Sequence, residues 1–162
     1  MLGVLTLKIH RGLVSMSQAG PTDVQSVAER ILGARWLEAA ARFAVAVPFL
    51  TSGVAKILDF EGSIAEVRGL TGLEPAALVA VLVILTQLGG SVLLIAGGRF
   101  AWIGALALAG FTTIATLSAH AFWLKPKAEQ FLHRNIFFEH VSIVGGLVLL
   151  AILTLKPART QD

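Results

Sequence analysis

The sequence predicts an all-α fold: an integral membrane four-helix antiparallel bundle preceded by an N-terminal amphipathic surface helix. Three observations predict it. Hydrophobic residues make up 56% of the 162 residues and charged ones only 14%, where a soluble domain carries about 25% charge. The mean hydropathy is +0.79. Four apolar stretches follow one another across short polar connections, each close to the roughly 20 residues that cross a bilayer as a helix. One unit is expected at this length, organised as an extension with the surface helix over 1–35, the bundle over 36–156 and a tail over 157–162.

The opening MLGVLTLKIHRGLVSM is too short and too interrupted by Lys8 and Arg11 to span a bilayer, and its charges are misplaced for a cleavable signal peptide. Residues 1–15 are either an interfacial segment or precede a true start at Met16. From Thr22, which is expected to cap it, TDVQSVAERILGARWLEAAARF reads as an amphipathic helix leading into the first span. That span is Leu37–Leu58. Its Pro48 is tolerable in a membrane helix and is expected to kink it. The connection DFEGSIAEVRGLTGLEP is expected to form a short interfacial helix.

The second span, Ala76–Ala96, is opened by Pro75 and closed by the turn Gly97-Gly98-Arg99. Gln87 lies near its middle. The third, Phe100–Leu124, carries Ala105, Ala109, Thr113, Thr116 and His120 at steps of three and four, which makes one small, polar face. The fourth is Ile136–Leu155. It puts Glu139, Ser142 and Gly146 on one face with His140 beside them, and a polar connection holding His133 precedes it.

Composition also excludes. With no cysteine there are no disulfides, thiolate metal sites or CxxC redox centres, so electron transfer would need a borrowed cofactor. A sequence pI near 9.8 and a formal net charge of +3 raise nucleic acid as a partner. The basic residues punctuate apolar spans and form no patch, so lipid headgroups are the expected contact and nucleic acid is not. With the N-terminus inside, Lys8, Arg11, Arg30, Arg35, Arg42, Arg99, Lys156 and Arg159 are cytoplasmic, eight of the thirteen Lys and Arg residues. That modest bias places both termini in the cytoplasm of a bacterial inner membrane.

Antiparallel neighbours bring His120, Glu139, His140 and Lys56 to one depth, where ionisable groups are costly to hold and usually paired. Three chemistries fit. In one the cluster is structural: Lys56 pairs with Glu139 or Asp59 and the histidines bond threonines or carbonyls. In another His120 or His140 donates to a quinone carbonyl while Phe122 and Trp123 pack on its ring and Glu139 accepts a proton. In the third His120 and His140 ligate a haem, which is disfavoured because Gly145 and Gly146 lie too deep to admit a porphyrin. A metal held by His120, His133, Glu139 and His140 fits by ligand type, but no compact ligand spacing such as HExxH supports it. Gln87 is either a contact for the bound molecule or a helix-to-helix hydrogen bond. The serines have no His and acid partners, so hydrolysis has no support.

RFAVAVPFLTSGVAKILDF, QLGGSVLLIAGGRFAWIGALAL, HAFW and FFEHVSIVGGLVLL, in this order from about Arg42 to Leu153, resemble the DoxX family of small bacterial membrane proteins. The resemblance implies a four-span bundle and a role beside quinol oxidase or quinone-linked enzymes. It maps the family's Ser-Gly…Lys pattern onto Ser52, Gly53 and Lys56, its H-x-F onto His120 and Phe122, and its polar pair before Gly-Gly onto Glu139 and His140. Gln87 stands where the family often has an acid.

The expected function is an accessory or anchoring subunit of a membrane-associated oxidoreductase, in contact with quinone and with a protein partner or further copies of itself. His120, Glu139 and Lys56 are the candidate catalytic residues, and His140, Phe122, Trp123 and Gln87 the candidate cofactor contacts. The alternatives are a quinone-linked oxidoreductase in its own right and a small oligomeric transporter.

Overall fold

The computed structural model describes residues 21–155; the opening segment 1–15 and the tail from Lys156 lie outside the described residues. Among the described residues all regular structure is helical: α1 (Pro21–Leu32), α2 (Arg35–Leu58), α3 (Phe60–Thr71), α4 (Ala76–Ala96), α5 (Ala101–Ala119) and α6 (Lys127–Leu155), with single 3₁₀ turns at Gly98–Phe100 and Phe122–Leu124. Four stretches, Arg35–Leu58, Ala76–Ala96, Gly98–Leu124 and Lys127–Leu155, are long and apolar enough to cross a membrane. The chain is a multi-pass membrane protein.

Packing divides the described residues into two compact units that meet in sequence between Ala40 and Ala41. In the first, α1 presents Val24, Val27 and Ile31 on its outside, three apolar residues at helical spacing. It runs over Pro21–Leu32, so the backbone at Thr22 is already helical where the sequence expected a cap.

In the second unit, residues from α2, α4, α5 and α6 share one core: Ala46 and Phe49, Leu94, Ala105 and Leu108, and Leu147 and Ala151. Alanines alternate with Phe49 and three leucines in this core, and the small residues allow the close helix approach on which membrane packing rests. The closest approach is Gly90 on Gly104. A Cβ added to Gly104 would lie 2.9 Å from Leu93 Cβ and from the Leu94 nitrogen. Larger residues point outward, among them Leu82, Leu85, Ile114 and Leu149, each more than half exposed, as lipid-facing residues are.

Pro48 has no N–H and removes one bond from the middle of α2; Thr51 Oγ1 stands beside the Val47 and Pro48 carbonyls at 3.0 and 3.1 Å. The predicted connection helix is α3. Asp59 caps it by accepting from the Gly62 N–H at 2.9 Å, and Gly72 ends it at φ 65°. Beyond it, Arg68 Nε donates to Glu74 Oε1 at 2.6 Å, and Glu74 Oε2 accepts from the Ala76 N–H at 2.8 Å. The Arg68 hydrogen bond first, and the Ala76 amide next, hold the Glu74 carboxyl below its ordinary range.

The second span runs over Ala76–Ala96 as expected. The other two differ. α5 stops at Ala119, so residues 120–124 are a cap and a turn. α6 begins at Lys127, nine residues ahead of the expected Ile136. Pro126 opens it, accepting from the Glu129 and Gln130 N–H groups at 2.9 and 3.1 Å, and Lys-Ala-Glu-Gln are strong helix formers. At 29 residues and 1.5 Å per residue, α6 is about 43 Å long. Its polar first turns therefore extend past a hydrocarbon core about 30 Å thick.

Candidate functional site

The early start of α6 relocates His133. It lies in the helix and not in a mobile connection, and the turn between α5 and α6 sets it against His120. The Leu124 and Lys125 N–H groups donate to the Ala121 and Phe122 carbonyls at 2.9 and 3.2 Å, and Gln130 Nε2 donates to the Lys125 carbonyl at 3.0 Å. Phe122 packs edge-on against Trp123 and Phe137, with ring centroids 5.1 and 5.7 Å away. This stiff turn leaves His120 Nδ1 3.0 Å from His133 Nδ1.

His140 is the third ring, 5.3 Å from His120 centre to centre. Its Nδ1 lies 2.8 Å from Thr116 Oγ1. The Thr116 hydroxyl has one proton and donates it to the Thr112 carbonyl at 2.6 Å. With that proton placed, the Thr116 oxygen matches the tautomer of His140 that carries its hydrogen on Nδ1.

On the other side, Lys56 near the end of α2 pairs with Glu66 of α3, and not with Glu139 or Asp59 as the sequence suggested. The α2–α3 corner is fixed by Ser63, whose hydroxyl lies 3.1 Å from the Lys56 carbonyl and 2.9 Å from that of Asp59. Deeper, Gln87 is 3% exposed. Its Nε2 donates to Ser52 Oγ at 3.0 Å, and its Oε1 has no partner. An unpartnered buried carbonyl costs about 1–3 kcal/mol, so something must repay it.

These groups surround one cavity of about 300 Å³, with Ser52, Lys56, Gln87, Thr112, His120 and His140 in its wall. An apolar groove of about 350 Å³ runs alongside, walled by Leu70, Leu73, Leu82 and Ile114. Cavity and groove share Lys56, Glu66, Leu70, Phe111 and Ala115. The cavity wall mixes these polar groups with Phe49, Phe111 and Ile143, and the groove beside it is almost wholly apolar.

Of the sequence-predicted residues, Lys56, Gln87, His120 and His140 meet at the cavity. Glu139 does not: it is exposed and takes no part in the lining. A single residue step turns a helix by about 100°, so facing His140 inward carries Glu139 away. Phe122 and Trp123 form an aromatic cluster with Phe137 and Phe138 and line neither space. Glu66 is the charged wall residue that sequence reasoning left out, and its signal was its place one connection after Lys56; Ser52, named there only through the family pattern, is in the wall beside it. Among the described residues, no group of three or more His, Asp or Glu is arranged to hold a metal ion.

Comparison with known proteins agrees with the arrangement of spans. The family model described as DoxX matches residues 37–121, which covers the first three spans and His120 and leaves α6 outside. No curated protein and no solved structure matches the chain.

Proposed function

This chain belongs to the DoxX family, and from that premise we propose that it is an accessory subunit of a membrane-associated oxidoreductase, holding the head of a prenylated quinone in the cavity between its helices. The observation that carries the reading is the cavity with the unpartnered Gln87 oxygen in its wall, lying against an apolar groove with which it shares Lys56, Glu66, Leu70, Phe111 and Ala115. A molecule matching that space has a compact head with hydrogen-bonding groups and a hydrocarbon tail. A prenylated hydroquinone offers an O–H to Gln87 Oε1, and its tail has the polarity of the groove. His120 and His140 stand where protons are taken up or released when such a head changes oxidation state. With no cysteine the chain has no thiol redox chemistry of its own, and in this reading the electrons come from a partner protein.

The reading places the protein in the bacterial plasma membrane with both termini in the cytoplasm, supported by the tally of Lys and Arg. Native mass spectrometry of the protein drawn gently from its own membranes tests the whole. A heteromeric mass with a quinone retained is expected, and the quinone is lost in Gln87→Leu. A homomer carrying phospholipid alone, with added quinone failing to displace it, overturns the reading.

A further inference from the structure

The contact between His120 and His133 has a chemical requirement of its own. Two ring nitrogens 3.0 Å apart attract only when one carries a hydrogen and the other offers its lone pair. The two Nδ1 atoms therefore hold one proton between them. The rings sit at different places: His120 is in the cavity wall, while His133 Nε2 looks outward to Glu129 Oε2 at 3.8 Å. Glu129 belongs to the first turn of α6 and is exposed. Cavity, His120, His133, Glu129 and the polar end of the bundle thus form a series of proton-carrying groups, with a gap between His133 and Glu129 that one water can bridge.

We propose that His120 and His133 pass protons between the intramembrane cavity and the aqueous end of the bundle, with Glu129 as the outer acceptor. In the outward step a proton from the cavity adds to the Nε2 lone pair of His120, the His120 Nδ1 proton moves to the Nδ1 lone pair of His133, and His133 releases its Nε2 proton through one bridging water to Glu129. The cavity donor's bond to hydrogen breaks as an N–H forms on His120 Nε2, one N–H breaks and one forms at the shared position, one N–H breaks on His133 Nε2 as an O–H forms on the Glu129 carboxylate by way of the water, and no electrons are transferred. Ring rotation or return of the proton resets the pair.

The charged surroundings fit this direction. Around His120 are His140 from α6, His133 from α6 and Lys125 from the turn, and across the cavity Lys56 of α2 is already matched by Glu66 of α3. The carboxylate at His133 is Glu129, on the outer side, so a cation formed in the cavity lowers its energy by moving outward. His140 is held by Thr116 and serves as a fixed wall of the cavity and not as a link. The relay does not rest on the quinone reading: any proton source or sink in the cavity would use it.

The test uses the full-length protein in phospholipid nanodiscs with ring-¹⁵N histidine and no added quinone. The expected result is a nitrogen–nitrogen coupling between His120 and His133, and exchange of the His120 ring proton with water that slows about a hundredfold in His133→Gly. Free imidazole in the buffer should restore it. His133→Asn keeps a hydrogen-bonding side chain but cannot relay, so it should stay slow while retaining wild-type thermal stability. Wild-type exchange in either variant without imidazole overturns the proposal, as does the absence of coupling in the native protein. Should His133→Gly fail to fold, His133→Asn alone decides.

Discussion

Lys56 of α2 and Glu66 of α3 form an ion pair in the wall of the cavity, and the two ends of the pair differ in burial: the lysine side chain is 16% exposed and the glutamate 50%. Removing the glutamate leaves the more buried charge alone. Glu66→Gln is expected to lower stability by about 1–2 kcal/mol, less than for a fully buried pair because Glu66 is half in contact with the surroundings. Thermal unfolding in a mild detergent reads the loss. The double variant Lys56→Glu with Glu66→Lys should recover part of it, and equal loss in both would show that the pair contributes nothing.

Gln87 makes one hydrogen bond and leaves one acceptor empty. Replacing it by leucine removes the bond to Ser52 and the buried carbonyl together, two effects of opposite sign near 1 kcal/mol each. Gln87→Leu is therefore expected to change the stability of the protein by less than about 1 kcal/mol. The rise in unfolding temperature on adding a prenylated quinol should disappear in the same variant. A variant that unfolds readily on its own would mean that the amide is chiefly a helix-to-helix bond.

The α4–α5 contact depends on bare backbone. Gly104→Ala places a methyl against Gly90, Leu93 and Leu94 and forces the helices apart, at about 1–3 kcal/mol. Gly89→Ala, with nothing within 4 Å of the new carbon, should instead gain a few tenths of a kcal/mol to about 1 from helix propensity. Unfolding of the two single variants side by side checks both signs.

Glu74 gives a pH dependence outside the membrane. Its folded-state carboxyl lies below the ordinary 4.5 because the Arg68 guanidinium and then the Ala76 amide favour the anion. The contribution is complete above that ordinary value and is lost as pH falls through the depressed one. A carbon-detected titration of Glu74 should show a midpoint below 4.5, and Arg68→Gln should move it upward. Because the pair is at the surface, the accompanying change in stability is expected to be small and to shrink with salt.

Hydropathy made the depth of the groups legible but not their direction. Pro75 and Gly97 bounded the second span correctly, and Lys56, His120 and His140 were expected at one level, where the cavity lies. Glu139 shares that level but faces away, since azimuth depends on which neighbours a helix packs against. The place of His133 within a helix was missed because Lys127 to Asn135 lack the apolar period of a span; a helix that continues past the hydrocarbon obeys propensity and capping, and Pro126 followed by Lys-Ala-Glu-Gln was the sign of it. The partner of Lys56 was hidden because ion pairing across a corner depends on how Asp59 and Ser63 fold the corner, which no charge count contains.

The groove beside the cavity is walled by residues that face lipid, Leu70, Leu73, Leu82 and Ile114. A visitor entering along it travels in the plane of the leaflet. Its supply is set by its mole fraction among lipids, and lengthening its tail raises that fraction without adding a single contact to the head. Two compounds with identical heads and unequal tails will differ in apparent potency in water-based assays while occupying the site equally at equal surface density.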